Sequence, residues 1–174
     1  MNQPVNRTRD RVARTAILVL VLALLAFWAW AFVIYEPPGN PDRLEDRAWP
    51  AAAEQRCARA VAAIGDLPAA SQSPSPGHRA DVIDEATGIL DQLADDLGLL
   101  PGGTDDDRVL VVKWLDDWAV YLGDRATHAQ RLRTEGDVRP YLTALPSGAG
   151  SHVERMNGFA RVNDMESCLD PGDL

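Results

Sequence analysis

The sequence has no alternating polar and apolar run of the kind a half-buried strand needs, and no segment that repeats at a fixed period. That sets aside sheets, propellers and solenoids. Several short motifs of common chemistries are also missing. There is no Gly-x-Ser-x-Gly elbow, no P-loop, no His-Glu-x-x-His and no Cys–His nucleophile pattern. His78, His128 and His152 fall in different segments without ligand-like spacing, and His128 and His152 read as surface or rim residues. Ser167 beside Cys168 has no convincing base. Asp116 and Asp117, though adjacent, point to different sides of a helix, which does not suit shared acid–base work.

One stretch lacks charge altogether. Ala16 to Tyr35 is twenty residues without a charged side chain. At about 1.5 Å per residue, a helix of that length is roughly 30 Å long, the thickness of a bilayer's hydrocarbon core. Arg7, Arg9, Arg11 and Arg14 precede it with only Asp10 against them, whereas Glu36, Asp42, Glu45 and Asp46 follow it against Arg43 and Arg47. Arginine excess on a short flank marks the cytoplasmic side, so the rest of the chain is expected outside the cytoplasm. Trp28, Trp30 and Tyr35 gather at the outer end, where amphipathic rings favour the headgroup level, and Pro37-Pro38 should stop the helix. The rival reading is a cleaved signal peptide, with Ala29-Trp30-Ala31 as a small-x-small site. Against it, the apolar run continues through Ile34, and Trp30 and Phe32 crowd that site. There is no Cys for a lipid at the end of the span and no twin arginine. The expected organisation is a basic tail over 1–15, a transmembrane helix over 16–35, a juxtamembrane linker over 36–49 and a helical domain over 50–174.

The 139 residues after the span carry 13 Arg+Lys against 25 Asp+Glu, a net −12. Such a domain will not bind nucleic acid electrostatically and should be repelled by anionic headgroups. Its length is one domain's worth and enough to bury a core. The chain has two cysteines, Cys57 and Cys168, both beyond the span. An oxidising compartment permits a bridge, and two cysteines allow one intramolecular pairing. It would close a loop of about 110 residues, worth roughly 4–5 kcal/mol by chain entropy, and tie the C-terminal segment to the first helix of the domain. Two reduced thiols or an intermolecular bridge are the alternatives.

Helical periods run through most of the domain. A first helix over about Pro50 to Gly65 carries Ala53, Cys57, Ala60, Val61 and Ile64 on one side. Residues 69–77, rich in Ser and Pro, connect it to a second, about Pro76 to Leu97, with the seam Ile83, Ala86, Leu90, Leu93 and Leu97. The third is the longest, about Asp105 to Glu135. Thr104 caps it, Gly136 stops it, and Val111, Leu115, Trp118, Leu122, Ala129 and Leu132 form its core stripe. A capping box, Ser151-His152-Val153-Glu154, opens a fourth that runs to about Asn163. The predicted fold is all-α: an N-terminal transmembrane helix followed by an extracytoplasmic antiparallel bundle of about four helices.

Three features are candidates for more than architecture. Asp105-Asp106-Asp107 has acidic oxygens for Ca²⁺, but three Asp in the first turn of a capped helix are explained by the helix dipole. Trp114, Asp117, Tyr121, Asp124 and His128 recur at steps of three or four along one side of the third helix. The first four form a candidate partner surface; the competing reading packs Trp114 and Tyr121 at the edge of the bundle with their polar atoms wet. Arg125 continues the core stripe, so it needs a partner. A structural ion pair with Glu154, Asp164 or Glu166 is the expectation, with anion binding as the functional alternative.

The stretches Trp114-Leu115-Asp116-Asp117-Trp118, Tyr121-Leu122-Gly123-Asp124-Arg125 and Leu132-Arg133, with Phe159-Ala160, Asn163-Asp164-Met165, Cys168 and Pro171-Gly172-Asp173, carry a resemblance. The chain resembles uncharacterised single-pass membrane proteins of actinobacteria that have an N-terminal anchor and a helical exported domain. An arginine-to-lysine ratio of 16 to 1, with abundant Ala, Asp, Gly, Leu and Pro, agrees with a GC-rich genome. The resemblance implies a cell-envelope setting and brings no activity, cofactor or catalytic residue. The expected role is a non-enzymatic interaction or structural module held to the bilayer through residues 16–35, with an envelope protein as partner. The alternative is an accessory or sensor subunit of an envelope transporter or secretion system that binds a ligand between its helices.

Overall fold

A computed structural model describes residues 7–34, 39–69 and 72–174. Among them the chain is all-helical, in two compact units, Met1–Gly39 and Asn40–Leu174. The first unit is helix α1, Arg7–Ala29, which runs on into a π turn at Trp30–Ile34. Its segment Arg11–Phe32 has a mean hydropathy of 2.4, long and apolar enough for a membrane span or a signal sequence. Trp28 and Phe32 stack one turn apart at 5.2 Å. Tyr35 and the expected Pro37-Pro38 stop lie outside the described residues.

The second unit holds α2 (Ala48–Gly65), α3 (Pro76–Gly98), α4 (Asp105–Glu135), α5 (His152–Val162) and a 3-10 turn at Glu166–Cys168. The caps follow the side chains. Ser75 accepts from His78 N at the start of α3, while Thr104 with Asp107, and Ser151 with Glu154, close capping boxes on α4 and α5. The start of α2 is two residues earlier than Pro50, because the Asp46 carboxylate accepts from Ala48 N at 2.8 Å and serves the free amide there. Residues 40–49, expected as linker, belong to the packed unit: Leu44 and Trp49 are buried.

Burial repeats at helical spacing. Trp49, Ala53, Cys57, Ala60 and Ile64 line α2, and Ala80, Ile83, Ala86, Leu90, Leu93 and Leu97 line α3. Small residues on α2 let its backbone approach closely, and Trp49, Trp114, Trp118, Tyr121 and Phe159 fill the remaining space as a run of edge-on and stacked rings 5.3–6.1 Å apart. Cross-helix pairs set direction. On α3 and α4, Asp81 meets Arg133, Thr87 meets Arg125, and Gly98 faces Leu115, so the two run antiparallel. On α4 and α5, Asp117 meets Arg155 while Trp114 donates to the Met156 carbonyl, again antiparallel.

Three expectations about the stripes need correction. Val61 is 37% exposed, because it stands about 100° round the helix from Ala60 and so at the edge of the face that Ala53, Cys57, Ala60 and Ile64 bury. Val111 and Leu115 are half-buried at the rim of a cavity rather than in the core. Trp114 and Tyr121, expected at a wet edge, are 2% and 1% exposed, because α5 and the C-terminal segment close over that side of α4.

Candidate functional site

The residues singled out on α4 do converge, but with one another and with the C-terminal segment instead of with solvent. Arg125 is fully buried. Its guanidinium grips Asp173 with both ends, at 2.5 and 2.7 Å, and donates to Tyr121 Oη and Thr87 Oγ1. Burial alone would lower its pKa, but the Asp173 bonds outweigh it and hold the group above its ordinary value. The same burial pushes the Tyr121 hydroxyl up, so it stays a donor, bound to Asp170 at 2.9 Å. The expected ion pair is therefore present with a different partner. Glu154 caps α5, Asp164 pairs with Arg47, and Asp173 reaches Arg125 because the bridged chain after Cys168 runs back over α4.

Cys57 and Cys168 are joined at 2.02 Å, both wholly buried, across 111 residues. The strap around them is held at several points. Glu54 accepts from Ser167 N and Oγ, Asn157 accepts from Asp170 N, and Asn163 carries Leu44 N and the Asp42 carbonyl on the two ends of its amide. Ser167 is thus a fastener, bonded to a carboxylate.

Asp117, placed by its spacing on the candidate partner surface, is 2% exposed. It receives Arg155 at 2.5 and 2.7 Å and His152 Nδ1 at 2.7 Å. Arg155 is held above its usual value chiefly by Asp117. Asp124 is half-buried and accepts from Thr143 N and Oγ1, pinning the loop after α4. The partner surface read from Trp114, Asp117, Tyr121 and Asp124 is therefore an internal seam: these side chains join α4 to α5, to the 137–150 loop and to the strap. His128 is likewise interior, 2% exposed, and burial together with Arg79, Arg131 and Arg125 nearby holds it below its ordinary value. Its Nδ1, Trp118 Nε1 and Arg79 Nε are buried without a hydrogen-bond partner among the described residues.

At the other end of α4 the three Asp separate in role. Asp105 pairs with Arg108. Asp107 is buried, and its two oxygens accept from Glu45 N, Asp46 N and Thr104 N at 2.8–3.1 Å. Burial raises its pKa, yet those three amides outweigh it and the carboxyl sits below its ordinary value. Asp46 reciprocates by accepting from Gly103 N at 2.9 Å. Gly102 and Gly103 both have positive φ, 119° and 82°, and a Cβ on Gly102 would meet Asp46 Oδ2 at 3.0 Å, so side chains are disfavoured twice at this turn. Among the described residues no cluster of three His, Cys, Asp or Glu could hold a metal ion.

Beside this knot lies a cavity of about 340 Å³, walled by Trp49, Leu97, Leu100, Pro101, Val111 and Leu115, with Arg108 at its edge. The sequence pattern does not reveal it, since Leu97, Val111 and Leu115 read as core stripe and Trp49 as linker. The signal was Leu100, which follows Leu97 at a spacing of three and so extends the apolar seam of α3 past the end of the helix into the Pro101-Gly102-Gly103 turn. No protein-family model, curated protein or solved structure matches this chain.

Proposed function

We propose that the chain is a single-pass membrane protein whose helical domain stands outside the cytoplasm as an interaction or structural module of a cell envelope, without catalysis of its own. The observation that carries this reading is the pairing of two unlike units. No residue of the Arg11–Phe32 segment is buried within the protein, so its apolar side chains need a non-aqueous environment. The domain that follows is closed by a cysteine bridge, which suits an oxidising compartment. Arg11 and Arg14 at the start of the span favour a cytoplasmic tail. The buried charged groups Arg125 and Asp117 are engaged with Asp173, Arg155 and His152, which supports a fastening role for them. The actinobacterial envelope is the setting that the resemblance in sequence suggests.

The cavity beside the α3–α4 turn favours a second reading, an accessory or sensor subunit that takes a ligand between its helices. Protease protection in sealed vesicles tests the topology that both readings share. In right-side-out vesicles externally added protease should degrade the domain, and in inverted vesicles it should leave the domain intact. Domain protection in right-side-out vesicles, or a soluble product lacking residues 1–31, would overturn the anchored reading.

A further inference from the structure

We propose that the cavity beside the α3–α4 turn binds an uncharged, largely apolar small molecule that offers one hydrogen-bond acceptor to the Trp49 indole. This rests on the reading of the domain as one that takes a ligand between its helices, and it names the chemistry of that ligand. Every residue of the wall belongs to the helical domain. Trp49 and Leu97, 4% and 1% exposed, form the inner wall, and the exposed Arg108 and Val112 mark the mouth. At about 340 Å³ the cavity is within the range of small-molecule sites. An apolar cavity of about 150 Å³ takes benzene, so by proportion this one holds roughly a dozen carbon atoms.

The polar groups of the wall decide the charge of the occupant. Two charged side chains line the cavity, Asp107 and Arg108, and both are committed elsewhere. Asp107 receives Glu45 N, Asp46 N and Thr104 N. Arg108 reaches Asp105 and the Gly103 carbonyl. A charged group entering the cavity would leave water and meet no free counter-group, a loss that apolar contact does not offset. A neutral apolar body loses nothing of that kind and is stabilised by each apolar wall it covers.

One indole sets the polar contact. Of the three tryptophans in the domain core, Trp114 donates to the Met156 carbonyl, and Trp118 Nε1 is sealed from solvent and from acceptors alike. Trp49 lines the cavity, its Nε1–H has no acceptor among the described residues, and unlike Trp118 Nε1 it is not sealed from solvent. The ring is held in place, edge-on to Trp114 at 6.0 Å. A largely buried N–H without an acceptor is unfavourable, and a ketone, ether or ester oxygen on the ligand would satisfy it.

The test uses the full chain in phosphatidylcholine nanodiscs, dialysed to equilibrium against empty nanodiscs of equal lipid content so that partition into lipid cancels. The probes share one two-ring body: tetralin, 1-tetralone, and tetrahydronaphthalene bearing a carboxylate or an ammonium group. The expected result is one tetralone per chain, bound about tenfold or more tighter than either ion. Val111→Trp should fill the cavity and abolish binding, with Leu100→Trp as a second filling variant; both positions are half-buried, so the larger ring has room to settle. Trp49→Phe should weaken tetralone about fivefold, the worth of one neutral hydrogen bond, and move tetralin by less than about twofold. Equal losses of the two probes, or no loss of tetralone, would overturn the indole contact. An ion bound as tightly as tetralone and excluded by the filling variants would overturn the neutral class while leaving the ligand-binding reading standing. No probe held by the wild-type chain beyond the filled variants would remove both.

Discussion

The two ends of α4 are built on opposite plans. Its C-terminal half is wrapped: Arg125 and Tyr121 are wholly buried under a strap that a disulfide fixes to α2. Its first two turns, Asp105–Val112, are held along one side by the Asp107 and Asp46 carboxylates and leave Val109 and Val112 in solvent. Asp105–Ala119 carries five acidic and eight apolar residues against two and six in Val120–Glu135, so apolar content does not explain which half is the better covered. What separates them is whether another piece of chain is brought back over the helix. The strap lies 40–50 residues beyond the half it covers and is held by a covalent bond, and α5 covers the middle of the helix at Trp114 and Asp117, whereas Asp105–Val112 is met on one side by residues 45–49. One half is finished as protein interior, and the other is left as surface.

The largest test of this contrast removes the covalent fastener. Cys57→Ala with Cys168→Ala should cost about 5 kcal/mol in urea unfolding, the chain-entropy value for a loop of this length. Amide exchange should quicken from Met165 to Asp173 and stay unchanged over Gly102–Arg108. A loss below about 1 kcal/mol would show that the strap is held by its hydrogen bonds alone.

Next in size is the ion pair beneath the strap. Asp173→Ala strands a guanidinium with no solvent access, at a cost of about 3–5 kcal/mol. Arg125→Met should cost less, because the Asp173 side chain is 24% exposed and can take water instead, while methionine refills the apolar volume. Unfolding both variants in urea checks the order; equal losses would mean that packing, and not the stranded charge, sets the cost.

The legible parts of the chain were those governed by neighbours in sequence. The bounds of α4 followed from the Thr104 cap and the Gly136 stop, and the α3 seam from its spacing. The need of Arg125 for a partner was also readable, since a guanidinium on a core stripe cannot stay alone. Which carboxylate it takes was not readable, because that depends on the path of the chain after Cys168, and Asp173 sits in a Pro-Gly-Asp stretch that looks like exposed tail. The same long-range fact hid the burial of Trp114, Asp117, Tyr121 and His128. Their spacing marks a face, and only the covering segments decide whether that face is inside. Val61 differs in the opposite sense: it adjoins the stripe in sequence but stands about 100° round the helix from Ala60, at the edge of the buried face. The cysteine pairing was legible because parity leaves one intramolecular choice.

The smallest expected effect is the most discriminating for the open end. Leu99→Ser and Val112→Ser should each change the stability of the detergent-solubilised chain by no more than about 0.5 kcal/mol, since each removes side-chain carbons that already lie in solvent. Leu97→Ser, two residues before Leu99 and 1% exposed, should cost about 3 kcal/mol or more, because it leaves a void and buries a hydroxyl. The pair Leu97 and Leu99 therefore measures, across two positions of one turn, where the protein interior stops. If Leu99→Ser proved as costly as Leu97→Ser in urea, the turn would be closed in solution and the contrast between the two ends of α4 would fail.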